Sequence, residues 1–145
     1  MKICKFWSLF LALSILMTTI TGCSFLNKTF SYRFRQDRSN IEKVEICAYD
    51  HDSGKWTPIT QLQDEHVDAL LAELSALECG VYLPLDTILS YGDKVILITY
   101  SDGEVEMIGK YNIGWLSFEG ELHSTNYYFV DLLEIREIIE RYALY

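Results

Sequence analysis

At 145 residues, half of them hydrophobic, the chain is long enough for one ordinary domain and too short for two sizeable ones. Its 12 basic residues face 21 acidic ones, for a formal net charge of −9, which argues against a nucleic-acid ligand because phosphates need a positive face. Two prolines and the lack of low-complexity tracts or internal repeats exclude a disordered or fibrous chain.

Lys2 and Lys5 give a short positive start, and Phe6 to Ile20 follows without a charge. Those fifteen residues would make a helix of ~22 Å at 1.5 Å per residue. A bilayer core is ~30 Å thick and wants ~20 apolar residues. The run therefore fits the apolar part of a signal peptide better than a membrane span, with an uncleaved anchor helix as the alternative.

The run closes on Ile20-Thr21-Gly22-Cys23. An aliphatic residue, a small residue, a glycine and then a cysteine resembles the lipobox of bacterial lipoproteins, with Ile20 where leucine is commonest and Thr21 where alanine or serine is. The resemblance covers residues 1–23 only and carries no information on the fold beyond them. It implies that residues 1–22 are a signal peptide, and that Cys23 becomes the mature N-terminus and takes a diacylglyceryl group. Each buried CH₂ adds ~0.8 kcal/mol and stable anchoring needs two chains, which one modified cysteine supplies. The expected partner at Cys23 is thus membrane lipid, and the expected location is the extracytoplasmic face of the cell membrane. A cysteine standing by chance after an ordinary signal peptide is the competing reading.

Charge divides sharply along the mature chain. Lys28, Arg33, Arg35 and Arg38 stand against one acid, Asp37, before Ser39, and from Ser39 on there are six basic and twenty acidic residues. A basic strip suits an anionic lipid surface at roughly 1 kcal/mol per charge, or is simply solvated. Residues 23–40 show no sustained hydrophobic period and read as a flexible basic tether, with the domain occupying residues 41–145. Seventeen tether residues, 24–40, would reach ~20–25 Å. Cys47 and Cys79 are left as a candidate disulfide, worth ~3–4 kcal/mol if formed; two buried free thiols are the alternative. With no Cys-x-x-Cys spacing, zinc or thioredoxin-like chemistry is not indicated.

Within the domain, Ile41 to Tyr49 alternates and predicts a half-buried strand. Asp50 to Gly54 turns the chain and Trp56 to Leu62 returns it. Asp50 and Asp52 resemble the start of a calcium loop, but Trp56 and Ile59 lie where further ligands belong, so a plain hairpin is expected. A helix is predicted from Gln63 or Asp64 to about Glu78, with Val67, Leu70, Leu71, Leu74 and Leu77 as its apolar stripe. Residues 81–91 are ambiguous between an irregular stretch and a short strand. Asp102-Gly103 between two β-rich runs predicts a hairpin whose two turn residues both take positive φ. Ile113 to Phe118 adds a strand, and Leu122 with Tyr127 to Val130 supplies a further one. Asp131 caps a last helix, with Leu132, Ile135, Ile139 and Tyr142 buried. The order β-β-α-β-β-β-(β)-α predicts a two-layer α+β domain: an antiparallel sheet of five or six strands with two helices on one face. The pattern is similar, without a shared motif, to small lipoprotein domains of Gram-positive bacteria.

No nucleophile elbow, Walker-type loop or His-Glu-x-x-His motif occurs. His51, His66 and His123 fall in three separate segments and predict no metal site. The pairs Glu104/Glu106 and Glu119/Glu121 read as a solvated sheet face. Trp115, Tyr127 and Tyr128 are the candidate binding aromatics, because three consecutive rings at 127–129 cannot all point inward. No catalytic residue and no cofactor is indicated. The expected function is a non-catalytic envelope binding module for a protein or glycan, the alternative an envelope hydrolase or carbohydrate-acting enzyme using carboxylates and aromatics. Labelled palmitate should mark the wild-type chain and leave Cys23→Ala unmarked; undiminished labelling of that variant would remove the lipobox reading.

Overall fold

A computed structural model describes residues 29–81 and 90–145. Cys23 and the apolar run before it lie outside the described residues. Eight strands form a single sheet: β1 (Phe30–Ser31), β2 (Ile41–Asp50), β3 (Lys55–Gln61), β4 (Glu78–Val81), β5 (Lys94–Tyr100), β6 (Val105–Gly109), β7 (Ile113–Leu116) and β8 (Leu122–Phe129). Among the described residues two α-helices accompany the sheet, α1 (Asp64–Ala76) and α2 (Leu132–Tyr142). The sheet order is β1-β4-β8-β7-β6-β5-β2-β3, with every neighbouring pair antiparallel. Among the described residues, no helix is long and apolar enough to cross a membrane.

The α+β class is as expected; the strand number is not. The sequence indicated five or six strands, and the structure adds β1 and β4. Both are short, two and four residues, and neither is long enough to display an alternation. β4 also follows hard on α1, which stops at Ala76 and not at Glu78. α1 carries the chain from one edge strand, β3, almost to the other edge, across the face of the sheet. At thirteen residues it is ~20 Å long, most of the distance needed.

Alternation decides the core. Val44, Ile46, Ile96, Ile98 and Ile108 face the helices and meet Val67, Leu70 and Leu74 of α1 and Ile135, Ile138 and Ile139 of α2 in one cluster. The predicted stripe of α1 is the buried one. In α2 Ile138 is buried and Leu132 is only half-buried. Asp131 caps α2 as expected, its carboxylate accepting from the N–H groups of Leu133 and Glu134, both at 2.9 Å.

The β5–β6 hairpin differs in one detail. Gly103 N–H donates to the Tyr100 carbonyl at 2.9 Å, and Tyr100 N–H to the Glu104 carbonyl at 2.9 Å. That is a three-residue loop closed by a left-handed glycine, φ +86° at Gly103. It is not the two-residue turn the Asp-Gly pair suggested.

The largest departure concerns Glu106 and the segment before Ile41. Glu106 pairs with Ile98 across the strands, so it shares the helix-facing side and is only 2% exposed; it does not lie on a solvated face with Glu104. Tyr32 Oη donates to its Oε1, Tyr100 Oη to its Oε2, and Arg35 N–H to Oε2 at 3.2 Å. Two of these three donors belong to the stretch read as tether. Tyr32 is 4% exposed and its N–H reaches the Leu77 carbonyl at 3.1 Å. The packed domain therefore starts by Phe30, not Ile41. Two of the strip's cations are taken up in exposed ion pairs on the domain's own surface: Arg35 with Glu104 at 2.9 Å, and Arg38 with Asp68 at 2.6 Å and Asp64 at 3.5 Å.

Cys47 and Cys79 are both free and buried. Cys47 lies on the helix-free side and Cys79 in the helix-facing core. Their strands, β2 and β4, are separated by four others, about 24 Å at ~4.8 Å per strand spacing, and a disulfide needs Cα atoms within ~7 Å. The candidate bridge is ruled out by this distance. Burial pushes the Cys47 thiol up to about 11 and the Cys79 thiol up to about 12. Both should resist a thiol reagent in the native domain and react only on unfolding; fast native labelling of either would contradict this placement.

Burial, the largest influence, raises the Glu106 carboxyl above its ordinary value of 4.5, against the lowering effect of its tyrosine hydrogen bonds. A carboxyl raised on folding contributes its stability fully below the unfolded value and loses it as pH climbs through the folded one. Glu106→Gln should gain on the wild type in denaturation midpoint as pH rises from the ordinary carboxyl range through the raised folded-state value. A gap that stays constant with pH would contradict the buried-carboxyl assignment.

Candidate functional site

The side of the sheet away from the helices carries a second, smaller apolar cluster of Cys47, Tyr91, Val95 and Met107, with Trp56, Leu97 and Leu116 packed against it. The same alternation that sends Ile46, Ile96 and Ile108 to the helices sends Cys47, Leu97 and Met107 here. On this side a cleft of about 350 Å³ is lined by Tyr49, His51, Trp56, Tyr91, Met107 and Leu122, among others. Its base is buried, with Met107 3% and Tyr91 6% exposed. Its walls are open, with Tyr49 36% and Leu122 53% exposed.

Each wall has a local cause. Tyr49 and Trp56 are a cross-strand pair at the end of the β2–β3 hairpin, and their ring centroids are 5.0 Å apart at 61°. His51 meets Tyr49 edge-on at 5.1 Å. Asp50 shapes the turn between them, accepting from Asp52 N–H at 2.9 Å and Ser53 Oγ at 2.7 Å. That carboxylate is committed to the turn, as the plain-hairpin reading expects.

Tyr91 is the part that sequence reasoning missed. It lies across two strand glycines, Gly109 of β6 and Gly114 of β7. A Cβ at Gly114 would fall 2.2 Å from Tyr91 Oη, and one at Gly109 would fall 2.3 Å from the Tyr91 carbonyl oxygen. Only glycine leaves room for the ring to lie flat on the sheet. The signal was present: both glycines interrupt β-rich runs, where glycine marks a close approach.

The three candidate aromatics do not form one surface. Trp115 and Tyr127 stand on the helix-bearing side and Tyr128 on the other. Trp115 is stacked by His123, 4.1 Å away at 20°, and covered by the Arg35 guanidinium at 3.8 Å. Tyr127 meets Phe30 edge-on at 5.0 Å, beside the entry of the chain. The Tyr128 ring lies over Gly80, whose added Cβ would be 2.6 Å away. Exposure of one ring in this run was foreseen correctly, since Tyr127 is 38% exposed. Strand alternation puts the consecutive Tyr127 and Tyr128 on opposite faces of β8, and a register shift interrupts the β7–β8 pairing at Ile113/Gly114.

Among the described residues, no group of three or more His, Cys, Asp or Glu side chains could hold a metal. The histidines stay separate: His51 on Tyr49, His66 near Tyr145 at 4.1 Å, and His123 on Trp115. Among the described residues, the lining of the aromatic cleft includes one carboxylate, Asp93. Open aromatic walls over an apolar base suit the face of a sugar ring or an apolar side chain.

Gly114→Ala should force Tyr91 off the sheet and cost about 1–3 kcal/mol, the range for overpacking a tight site. The check is the denaturation midpoint together with native-state Tyr91 accessibility; an unchanged midpoint would mean the ring is not seated as described. Neither a protein-family model, nor a curated protein, nor a solved structure matches this chain.

Proposed function

We propose that the chain is a lipoprotein anchored at Cys23 on the extracytoplasmic face of a cell membrane, and that its domain is a non-catalytic binding module for an envelope protein or glycan. The observation that carries the binding half is the cleft of Tyr49, Trp56, Tyr91, Met107 and Leu122 on the face opposite α1 and α2. Rings mounted on paired strands lose little freedom when a partner docks, so their burial converts efficiently to affinity.

Topology supports an orientation for that face. β1, where the chain arrives from the direction of Cys23, is one edge of the sheet; Tyr49 and Trp56 stand on β2 and β3 at the other. That is a separation of ~30 Å at ~4.8 Å per strand. Because the chain is fastened from Phe30 on, only residues 24–29 separate Cys23 from β1, at most ~25 Å if fully extended. The aromatic wall is then presented away from the bilayer while the opposite edge stays near it.

The hydrolase alternative asks for an acid–base pair of carboxylates beside the rings. Among the described residues, Asp93 is the one carboxylate lining the cleft, and Glu140 in the neighbouring pocket is held by Lys94. This arrangement favours binding over proton transfer.

Trp56→Ala should reduce recovery of partners from detergent-solubilised envelopes by at least about tenfold, the scale of a buried aromatic anchor. It should leave the thermal midpoint nearly unchanged, because Trp56 is only partly buried. Equal recovery by wild type and variant would count against the cleft as the binding surface.

A further inference from the structure

On the other side of the Gly92–Asp93 segment lies a second concavity of about 310 Å³, whose lining includes Lys94, Lys110, Arg136, Asp93 and Glu140. Its composition is at odds with the rest of the domain. From Ser39 onward there are six basic residues and twenty acidic ones, yet three of the six bases converge here against two acids. They arrive from three separate elements: Lys94 opens β5, Lys110 lies in the β6–β7 turn and Arg136 stands on α2. Gathering like charges costs energy that a solvated surface avoids, and an acidic domain offers many other places for a lysine.

Among the described residues, two of the three cations, Lys110 and Arg136, make no ion pair within the pocket. Lys94 is paired with Glu140. The Lys110 ammonium sits over the Tyr111 ring, 4.8 Å from its centroid, and Arg136, also in the lining, is exposed. The frame is fastened: Lys110 N–H donates to the Tyr91 carbonyl at 2.9 Å, and Tyr49 N–H to the Asp93 carbonyl at 2.9 Å. Lys110 is thereby held against the segment that forms the shared wall.

We propose that this pocket binds a compact oxyanion, the carboxylate or phosphate group of a small ligand, between Lys110 and Arg136, with Lys94 as a third donor that Glu140 partly restrains. The proposal stands apart from the aromatic cleft and does not need a partner there.

The test uses the full chain in non-ionic detergent, titrated at constant ionic strength with inorganic phosphate and, separately, with acetate, and followed by amide chemical shifts. Saturable shifts centred on Lys94, Lys110 and Arg136 are expected with at least one of the two ions, and the tighter ion names the group. Arg136→Gln should weaken binding about tenfold, the scale of a lost charged hydrogen bond. Glu140→Gln should tighten it several-fold by freeing Lys94, and Trp56→Ala should leave it unchanged. Lys110→Met repeats the first comparison on a different element should the helix variant fail to fold. Shifts that stay linear with both ions, or identical affinity in the Arg136 and Glu140 variants, would overturn the proposal.

Discussion

Glu106 occupies a position in the helix-facing layer where its strand neighbours are Ile98 and Ile108, and a bare carboxylate there is expensive. Desolvating an ionised carboxyl costs several kcal/mol unless donors replace the lost water. Three donors do so: the hydroxyls of Tyr32 and Tyr100 and the N–H of Arg35. Tyr100 comes from the next strand, but Tyr32 and Arg35 come from the segment ahead of the first long strand. The sheet therefore needs that segment to complete its own interior, and the segment needs Glu106 to have a fixed place. Arg35 with Glu104 and Arg38 with Asp68 hold its outer side; exposed pairs of this kind add at most about 1 kcal/mol each, so the buried carboxylate is the stronger constraint.

Fixing the arm has consequences at the far edge of the sheet. With β1 seated beside β4, the arriving chain and the Tyr49–Trp56 wall are placed at opposite ends of one rigid body. On the proposed anchoring at Cys23, the cleft sits at the edge of the sheet far from the tether. The helix-free face is built by the same economy of space in two places: Tyr91 over Gly109 and Gly114, and Tyr128 over Gly80. Aromatic rings laid on glycines flatten the face there, and Tyr49, Trp56 and Leu122 form the wall of the cleft.

Much of the framework was legible because its signals are periodic and local. The spacing of Val67, Leu70, Leu71 and Leu74 can only be one face of a helix, and the Asp131 cap announces α2. The alternation through Val44, Ile46 and Ala48 marks a half-buried strand whatever it pairs with. What escaped depends on partners far away in sequence. β1 and β4 are too short to show a period and exist because β8 offers an edge. Glu106 looks like any strand carboxylate until Tyr32, 74 residues away, is known to lie over it. Cys47 and Cys79 were compatible with a bridge by loop length alone; the sheet order separates them. For the site, the sequence pointed at the cluster of rings in the last third of the chain, and strand alternation sends Tyr127 and Tyr128 to opposite faces. The cleft gathers Tyr49, Trp56 and Tyr91 from segments of the chain that carry no common motif. Gly109 and Gly114 were the available clue, since glycine within a strand has to make room for something.

The central claim is that Tyr32 and Glu106 act as one unit joining arm and sheet. A double-mutant cycle on unfolding free energy, with Tyr32→Phe, Glu106→Gln and the double variant, measures it directly. The account predicts a coupling of about 1–3 kcal/mol, because either change alone leaves a buried partner deprived and the second then costs little more. Additive effects, with a coupling near zero, would mean that the arm is seated independently of Glu106, and the account of how the domain holds its orientation would be wrong.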